Sequence, residues 1–429
     1  MIRRLLAFTA LLLAASPAGA VLTIDITQGA AEPLPIAVVP FGWAGEGSPP
    51  LRVADVVSAD LGRSGHFRLI DREAFLNEPD SPDAVRFKDW RLVGADALII
   101  GRLAPADDGR VEVRFRLLDV YGQEQIKGVR FLARPDGLRH VAHRIADAVQ
   151  EALLGYPGAF ASRIAYVVKD DDGHRLVVAD ADGGKAQTIV TSEGSLMSPA
   201  WSPDGQSIAY VSFEQGRSMV YRQDLATGKR RTLAAFDGIN SAPAFAPAGD
   251  RLALTLSRDG NPEIYIMDLE TQRLERITRH GAIDTEPAWT PDGESLIFTS
   301  DRGGGPQLYR VAATGGPVER LTFEGAYNAA ASVSPDGERV AFLHGDGSRF
   351  RIAVKPLDGT GGLRSLTPLG EHESPTFAPN GRKILYATRG GEGGGELAVV
   401  SVDGNIRKRL QRQGAGDVRE PDWGSRADQ

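Results

Sequence analysis

The sequence predicts an α/β N-terminal domain followed by an all-β six-bladed β-propeller closed by the C-terminal strand. Three observations support this fold class: an internal repeat with a period of 44 residues, a C-terminal copy of the repeat motif with no sheet of its own, and strand–helix alternation confined to the region before the repeats. A fixed period of about 40 to 50 residues is typical of propellers and solenoids. A chain of 429 residues has room for two or three domains of about 150 residues each.

Each repeat starts with a short segment that ends in an aromatic or apolar residue, and a turn follows it. These end positions are Trp201, Phe245, Trp289, Val333, Phe377 and Trp423. Five of them are followed by Pro-x-Gly, at residues 203–205, 247–249, 291–293, 335–337 and 379–381. Proline presets φ near about −65° and glycine accepts positive φ, so each of these sequences predicts a tight hairpin turn.

Three more strands are predicted after each turn. Alternating runs such as 207–211, 295–299 and 383–387 indicate half-buried second strands. Third strands follow at 263–268 and 307–311, and fourth strands at 274–278 and 318–322. Four strands make one propeller blade.

The last copy of the motif, residues 420–423, is followed only by residues 424–429. Residues 163–168, 176–179 and 186–190 supply the later strands of a blade that lacks this motif. We therefore expect the C-terminal strand to complete the first blade, which gives six blades and covers an open sheet edge. An open solenoid is the alternative, but such arrays end in polar caps rather than in a displaced strand.

The region before Gly155 predicts one α/β domain. Strands are expected at 34–41, 67–70, 95–103, 110–120 and 124–134, and helices at 51–64, 83–93 and 136–154. Apolar residues at helical spacing support the first and last helices, and Gly155 suits a helix C-cap. The predicted domain boundaries are 34–155 for the α/β domain and 156–429 for the propeller.

The N-terminus predicts export. Arg3 and Arg4 precede an apolar run over residues 5–15 and a small-residue cleavage pattern at 18–20, so residues 1–20 are expected to be a signal peptide. No later apolar run approaches the ~20 residues that a membrane span needs, so no direct membrane insertion is expected. Residues 21–33 are predicted to be a partner-binding segment, because Leu22, Ile24 and Ile26 alternate with polar residues as in a strand that adds to another sheet.

Composition excludes some classes of function. Residues 1–20 carry two basic and no acidic side chains, so their removal changes the formal net charge from −7 to −9. An acidic chain is not expected to bind nucleic acid, which requires basic surface. The chain has no cysteine, so a large core rather than disulfides is expected to hold the fold.

No enzymatic, metal or nucleotide site is predicted. The sequence lacks a G-x-S-x-G nucleophile elbow, and no hydrolase domain fits beside the repeats. His140 and His143 lack the Glu of an H-E-x-x-H zinc motif and are interpreted as partly exposed helix histidines. The Asp-rich runs 170–173 and 180–183 are interpreted as hairpin turns rather than calcium loops, and the Gly-rich runs 303–305 and 391–395 as hairpin tips.

Loops that enter the inner strands should converge at the mouth of the central channel. They contain Met197-Ser198, Asn240-Ser241, Thr285-Glu286, Asn328-Ala329, Glu373-Ser374 and Arg419-Glu420. These groups either bind an inserted protein loop or only cap strand ends, and composition does not choose between the two. An exported hydrolase with an active site in the channel is the alternative function.

The chain closely resembles the TolB family, the periplasmic propeller component of the Tol-Pal cell-envelope system. Segments outside the common repeat make the resemblance specific: residues 35–41 with 43–45, 163–168, 196–205 and 285–289. It implies a non-enzymatic periplasmic adaptor that supports outer-membrane integrity and cell division. No cofactor is implied, and a monomer is expected.

The resemblance also implies two partners, and other envelope proteins are further candidates. The inner-membrane protein TolA is expected to bind Val21, Leu22, Thr23, Ile24, Asp25, Ile26, Thr27 and Gln28. The peptidoglycan-associated lipoprotein Pal is expected at the channel mouth, where Ala242, Thr285 and Glu286 match family positions implicated in Pal binding. The full candidate set for Pal is Met197, Ser198, Asn240, Ala242, Thr285, Glu286, Asn328, Glu373 and Glu420. Ile239 and Ala248 depart from the family pattern and put contacts at the second inner loop in doubt.

Overall fold

A computed structural model describes residues 32–345, 348–389, 394–410 and 416–426. The predicted signal peptide and the predicted TolA-binding residues 21–28 lie outside the described residues. Within the described ranges, no helix is long and apolar enough to cross a membrane.

The N-terminal domain is a six-stranded mixed sheet with helices on both faces. Its strands are β1 (Leu34–Val38), β2 (Gly42–Trp43), β3 (Phe67–Leu69), β4 (Ala97–Pro105), β5 (Val111–Asp119) and β6 (Glu124–Ala133). Its helices are α1 (Val53–Ser64), α2 (Phe87–Leu92) and α3 (Leu138–Leu154), with 3-10 turns at Arg72–Ala74, Pro82–Ala84 and Pro135–Gly137. The strand order is β3-β1-β4-β5-β6, with β2 beside β4. Strand β1 is parallel to β3 and β4, whereas β4, β5 and β6 are antiparallel.

Two apolar clusters hold this domain together. Helices α1 and α3 cover one face, where Ile36, Leu61 and Ile145 are fully buried. Trp90 of α2 is buried on the opposite face. Helix α3 ends as predicted, because Gly155 adopts a left-handed φ of 77° and donates its N–H to Glu151 O.

The predicted helix at 83–93 was too long. Pro82 starts a 3-10 turn, and Val85 and Arg86 then adopt extended conformations before α2 begins at Phe87. The extended backbone places the Val85 side chain in the cluster around Trp90. Apolar packing therefore overrides the helical pattern at this point.

Six four-stranded antiparallel sheets follow, which confirms the six-bladed propeller. The second and third blades are β10 (Leu196–Trp201), β11 (Ser207–Ser212), β12 (Met219–Asp224), β13 (Arg230–Ala234), and β14 (Asn240–Phe245), β15 (Arg251–Leu256), β16 (Glu263–Asp268), β17 (Leu274–Arg276). The fourth and fifth are β18 (Asp284–Trp289), β19 (Ser295–Ser300), β20 (Gln307–Ala312), β21 (Val318–Arg320), and β22 (Tyr327–Val333), β23 (Arg339–Gly345), β24 (Phe350–Pro356), β25 (Arg364–Ser365). The sixth is β26 (His372–Phe377), β27 (Lys383–Arg389), β28 (Gly395–Ser401) and β29 (Arg407–Arg409).

The first blade contains both ends of the propeller chain, as the sequence predicts. It consists of β7 (Ser162–Asp170), β8 (Gly173–Asp180), β9 (Gln187–Ser192) and the C-terminal β30 (Asp417–Arg426), in the order β30-β7-β8-β9. Strand β30 is antiparallel to β7, with Val418 opposite Val168 and Trp423 opposite Ile164. The Trp423 Nε1–H also donates to Ser162 Oγ at 2.8 Å.

An arginine of one blade contacts both the repeated aromatic residue and the repeated turn of the next blade. Arg163 stacks on the Trp201 ring at 4.8 Å and donates to Gly205 O in the following turn. Arg251 stacks in the same way on Trp289 at 4.8 Å and donates to Gly293 O at 3.3 Å. A cation over an aromatic face is worth about 0.5–1 kcal/mol or more.

The α/β domain packs against one end of the propeller. Asn380, in the turn between β26 and β27, donates to Pro157 O at 3.1 Å, in the segment that connects α3 to the propeller. Lys408, in β29, donates to Gly62 O at 3.0 Å. Arg139 of α3 forms ion pairs with Asp180 and Asp182 at the turn after β8. All of these contacts lie at the end of the propeller where the inner strands end. The other end, where the inner strands begin, faces away from the α/β domain.

Candidate functional site at the channel mouth

Six inner strands surround a central channel with a cavity of about 610 Å³. The strands are β10, β14, β18, β22, β26 and β30, one from each blade. The lining includes the carboxylates of Glu286, Glu373, Glu420 and Asp422, and among the described lining residues there is no Lys or Arg. The channel is therefore acidic and suits groups that donate hydrogen bonds or carry positive charge.

One non-glycine residue in every inner strand adopts a left-handed backbone conformation. We call these six residues the left-handed ring: Ser198 (φ 49°), Ala242 (48°), Glu286 (55°), Ala330 (54°), Ser374 (49°) and Glu420 (46°). Each lies at a β-bulge, where the register between the inner strand and its neighbour shifts. A non-glycine residue in this conformation costs roughly 1–2 kcal/mol. Such strain persists only where the surroundings hold it, and it is common at functional sites.

Carboxylates of one blade hold the bulge of the next blade. Glu420 accepts a hydrogen bond from Ser198 N at 2.6 Å. Glu286 accepts from Ala330 N at 2.9 Å and from Thr299 Oγ1 at 2.8 Å. Glu373 accepts a longer hydrogen bond from Glu420 N at 3.4 Å. These acidic side chains thus satisfy backbone groups that the bulges leave unpaired.

Burial shifts the acidity of the channel carboxyls. It raises the pKa of Glu373 and of Asp422. It also raises the pKa of Glu420 to about 7, and the nearby carboxylates of Glu373 and Glu286 add to the increase. A positively charged guest would favour the ionised form of Glu420.

Exposed apolar side chains surround the acidic mouth. At the end where the inner strands begin, six large side chains are 37% to 71% exposed: Met197, Phe213, Ile239, Ile283, Phe323 and Leu369. We call these six residues the apolar rim. Five of the six blades contribute to it. The rim lies at the end of the propeller opposite the α/β domain. Large exposed apolar side chains gathered at one end of a protein indicate a surface that binds another protein.

The structure brings six of the nine predicted Pal-binding residues together in the channel lining. They are Met197, Ser198, Ala242, Glu286, Glu373 and Glu420. Thr285 is half-buried beside them, and its Oγ1 accepts a hydrogen bond from Thr255 Oγ1 at 3.3 Å. The other two predicted residues, Asn240 and Asn328, have fully buried side chains.

Asn240 and Asn328 hold the loops that lead into their strands. Asn240 Nδ2 donates to Phe236 O at 2.7 Å, and its Oδ1 accepts from Phe236 N at 2.9 Å. Asn328 Nδ2 donates to Glu324 O at 2.7 Å. In the fourth blade, Asp284 occupies the repeat position that Asn240 and Asn328 occupy in the third and fifth blades. Its side chain is buried and forms an ion pair with Arg302 at 2.7 Å. Sequence reasoning did not find this Asp284–Arg302 pair, although the 44-residue period places Asp284 in register with the two asparagines.

The channel offers no pair of the kind that a serine hydrolase uses. Ser198 Oγ lies 3.4 Å from Glu420 Oε2. The described lining residues include no histidine. The described lining therefore lacks the serine–histidine pair of such enzymes.

Away from the channel, His143, Asp180 and Asp182 bring their ligand-type atoms within 4.8 Å of one another. The expectation of a partly exposed His143 was wrong, because the propeller covers this side of α3 and leaves the side chain 2% exposed. Arg139 binds both aspartates, and Arg63 binds Asp182 at 3.0 Å. Because cations already occupy these carboxylates, we assign this group to the domain interface and not to a metal site.

Two family models together match most of the chain. The model described as the TolB amino-terminal domain matches residues 22–126. The model described as the TolB beta propeller domain matches residues 150–427. The second match covers more than half of the chain.

Individual relatives show the same similarity. The Tol-Pal system protein TolB of Methylobacillus flagellatus is 57% identical over 415 residues, which cover 96% of this chain and 95% of the relative. The Tol-Pal system protein TolB of Xanthomonas campestris is 48% identical over 431 residues, with 99% and 98% covered. The crystal structure of TolB from Acinetobacter baumannii is similar with a TM-score of 0.84 at 39% identity, over 92% of this chain and 97% of that one.

Proposed function

The chain belongs to the TolB family of Tol-Pal system proteins, and from this premise we propose that it is a periplasmic adaptor that binds Pal at the channel mouth and TolA through its N-terminal segment. Members of this family are non-enzymatic components of the cell envelope, and so is this chain. In this proposal the adaptor links an outer-membrane lipoprotein to an inner-membrane complex. That link supports outer-membrane integrity and cell division.

The left-handed ring inside the apolar rim is the observation that supports Pal binding at the mouth. A rigid ring of six inner strands holds acidic acceptors at the centre, and apolar side chains surround them. An inserted Pal loop that offers N–H groups or positive charge would find acceptors at Glu286, Glu373 and Glu420. The apolar rim would bury surface around that loop, which excludes water from the central contacts. The proposed contact set also includes Met197, Ser198, Ala242 and Thr285. The buried side chains of Asn240 and Asn328 hold the adjoining loops through hydrogen bonds to their backbone.

Substitution of Glu286 is expected to weaken Pal binding. In Glu286→Ala the channel loses an acidic acceptor, and Ala330 N keeps only its longer hydrogen bond to Thr299 Oγ1, at 3.3 Å. Loss of a hydrogen bond to a charged group costs about 1.5–3 kcal/mol, so we expect the Kd for Pal to increase by about tenfold or more. Isothermal titration of the purified chain with the soluble domain of Pal measures this change.

Glu294→Ala is the matched control. Glu294 belongs to the same blade but is exposed in the turn at the opposite end. It should bind Pal with unchanged affinity. A thermal unfolding profile of Glu286→Ala like that of the unmodified chain separates loss of binding from loss of fold. Equal affinities of the two variants would contradict the proposed site.

Deletion of residues 21–28 is expected to abolish TolA binding and leave Pal binding intact. The alternation of Leu22, Ile24 and Ile26 with polar residues suits a strand that adds to the edge of a TolA sheet. A pull-down with the periplasmic part of TolA measures the loss. The control is a chain with residues 21–28 shuffled to break the alternation, which should also lose TolA. Normal capture of TolA by the deleted chain would overturn the assignment of this segment.

A further inference from the structure

A second cavity, of about 100 Å³, lies between the α/β domain and the propeller. We call it the interdomain pocket. Its lining is mostly apolar and includes Phe160, Val399, Ile406, Leu410 and Trp423. Helix α1 contributes Asp60 and Arg63, and the first and sixth blades contribute most of the remaining lining. A ligand here would contact both domains.

The pocket contains an ammonium group without a close counter-ion. Among the described residues no carboxylate forms an ion pair with Lys383, and its Nζ lies over the Phe160 ring, 6.0 Å from the ring centre. Burial lowers the pKa of Lys383 to about 8, and the nearby cations Lys408 and Arg63 add to the decrease, whereas the carboxylate of Asp60 acts in the opposite direction. A partly buried ammonium without an ion pair is unfavourable, so this site gains from an anion.

The two carboxylates of the pocket are already engaged elsewhere. Asp60 pairs with Arg63 and with His143 Nδ1, the latter at 2.6 Å. Asp182 pairs with Arg139 at 2.5 Å and with Arg63 at 3.0 Å. Lys408, a second cation of the lining, donates to a backbone carbonyl. The lining contains two carboxylates and four cations, Arg63, Lys383, Lys408 and Arg409, and the last of these pairs with Glu396 outside the pocket. The pocket therefore has an excess of positive charge beside its apolar side chains.

We propose that the interdomain pocket binds a small aliphatic monocarboxylate, with the carboxylate on Lys383 and the apolar body against Phe160, Ile406 and Trp423. A cavity of about 150 Å³ lined by apolar side chains accommodates benzene, so the smaller volume here suits a body of about four carbons. Lys383 is the cation assigned to the carboxylate because, among the described residues, its ammonium has no ion pair or hydrogen bond, whereas Lys408 donates to Gly62 O.

Butyrate is the probe for this proposal. Titration of the full mature chain with sodium butyrate at pH 7 should give saturable shifts in the NMR signals of residues around the pocket, and a higher Tm. Butanol, with the same apolar body and no charge, should bind at least tenfold more weakly. Sodium chloride at equal ionic strength should produce neither effect. Equal responses to butyrate and butanol would overturn the proposal.

Substitution of Lys383 tests the assigned contact. Lys383→Met keeps the apolar stem, and we expect it to weaken butyrate binding at least tenfold, whereas Lys383→Arg should retain most of it. Lys229→Met is the matched control, because Lys229 is exposed in the turn between β12 and β13 of the second blade. Because Lys383 loses its proton as pH rises through about 8, butyrate binding should weaken between pH 7 and pH 9. Unchanged affinity in a folded Lys383→Met chain would contradict the proposal.

Discussion

A chain that ends at residue 415 is expected to lose the cooperative unfolding of the propeller. This deletion removes β30, the inner strand of the first blade, and leaves the edge of β7 unpaired. It also removes the residues that connect the first blade to its neighbours. Glu420 accepts from Ser198 N of the second blade at 2.6 Å, and Asp422 accepts from Trp201 N at 2.8 Å and from Thr376 Oγ1 of the sixth blade at 3.1 Å. The ring would then be open at the contact between its first and second blades and at the contact between its sixth and first.

A single substitution in β30 should lower the stability of the propeller without opening the ring. Trp423 packs in the cluster between the first and sixth blades and donates to Ser162 Oγ. Replacing a fully buried aromatic residue by alanine costs about 3–5 kcal/mol, and Trp423 is only partly buried, so Trp423→Ala should reduce the free energy of unfolding by up to about 3 kcal/mol. Urea unfolding followed by tryptophan fluorescence and far-UV circular dichroism measures both variants.

Deletion of residues 427–429 alone is the control, and we expect it to leave the unfolding transition unchanged. If the chain ending at residue 415 unfolded with the same midpoint and cooperativity as the full chain, the closing strand would not stabilise the ring. The six-bladed architecture itself would stand, because it rests on the sheet order of the whole propeller.

The parts of this fold that the sequence predicted are those whose signals are local or periodic. Proline and glycine fix the hairpin turns by their own backbone preferences, and the 44-residue period aligns every inner strand with the next. Closure by β30 followed from counting strands, because residues 420–423 and residues 163–190 each formed part of one blade. Most of the channel-mouth residues followed from the same alignment.

The left-handed ring gave no sequence signal. Its members are two serines, two alanines and two glutamates, none of which favours positive φ as glycine does. The bulges that produce this conformation depend on pairing with the neighbouring strand and on caps from the adjacent blade. Met197 was the one member of the apolar rim among the predicted Pal-binding residues. The others were missed because, apart from Ile239 and Ile283, they do not share a column of the 44-residue repeat.

Burial of His143 depended on contacts that are distant in sequence. The apolar face of α3 predicted which residues pack on its own sheet, and His143 is not among them. The propeller covers the histidine from the other side through Asp180 and Asp182, which lie at a turn predicted from its Asp and Gly residues. Docking of one domain on another is a tertiary event, and helical periodicity contains no information about it.

His143 is expected to make the stability of the chain depend on pH. Its Nδ1 lies 2.6 Å from Asp60 Oδ2, and its Nε2 lies 3.5 Å from Asp180 Oδ2. Burial alone would lower the pKa of His143, but the nearby carboxylate of Asp180, the hydrogen bond to Asp60 and the negative charges of Asp60 and Asp182 outweigh it and raise the pKa to about 9. The imidazolium thus connects α1 of the α/β domain to the first blade of the propeller.

The sign of the pH effect follows from the two pKa values. In the unfolded chain the histidine has its ordinary pKa of 6.5, so the stabilisation is fully present below pH 6.5 and is lost as pH rises toward 9. A shift of one pKa unit corresponds to about 1.4 kcal/mol, so between pH 6.5 and pH 8 the loss should be about 2 kcal/mol. Lys383 acts in the opposite direction above pH 8, because its folded pKa of about 8 lies below its ordinary value of 10.5. Glu420, whose pKa is raised to about 7, also titrates between pH 6.5 and pH 8. The comparison with a chain that lacks His143 therefore assigns the histidine's share of the pH dependence.

His143→Gln is expected to lower the free energy of unfolding at pH 6.5 and to remove most of its decrease between pH 6.5 and pH 8. Glutamine still donates a hydrogen bond to Asp60, but it supplies no positive charge to the three aspartates. His280→Gln is the control, because His280 is exposed in a propeller loop and should keep the pH dependence of the unmodified chain. Urea unfolding at both pH values compares the three proteins at constant ionic strength. If His143→Gln lost stability by the same amount as the unmodified chain between these pH values, the imidazolium would carry none of the pH dependence, and the contact between the domains would rest on the arginine–aspartate pairs alone.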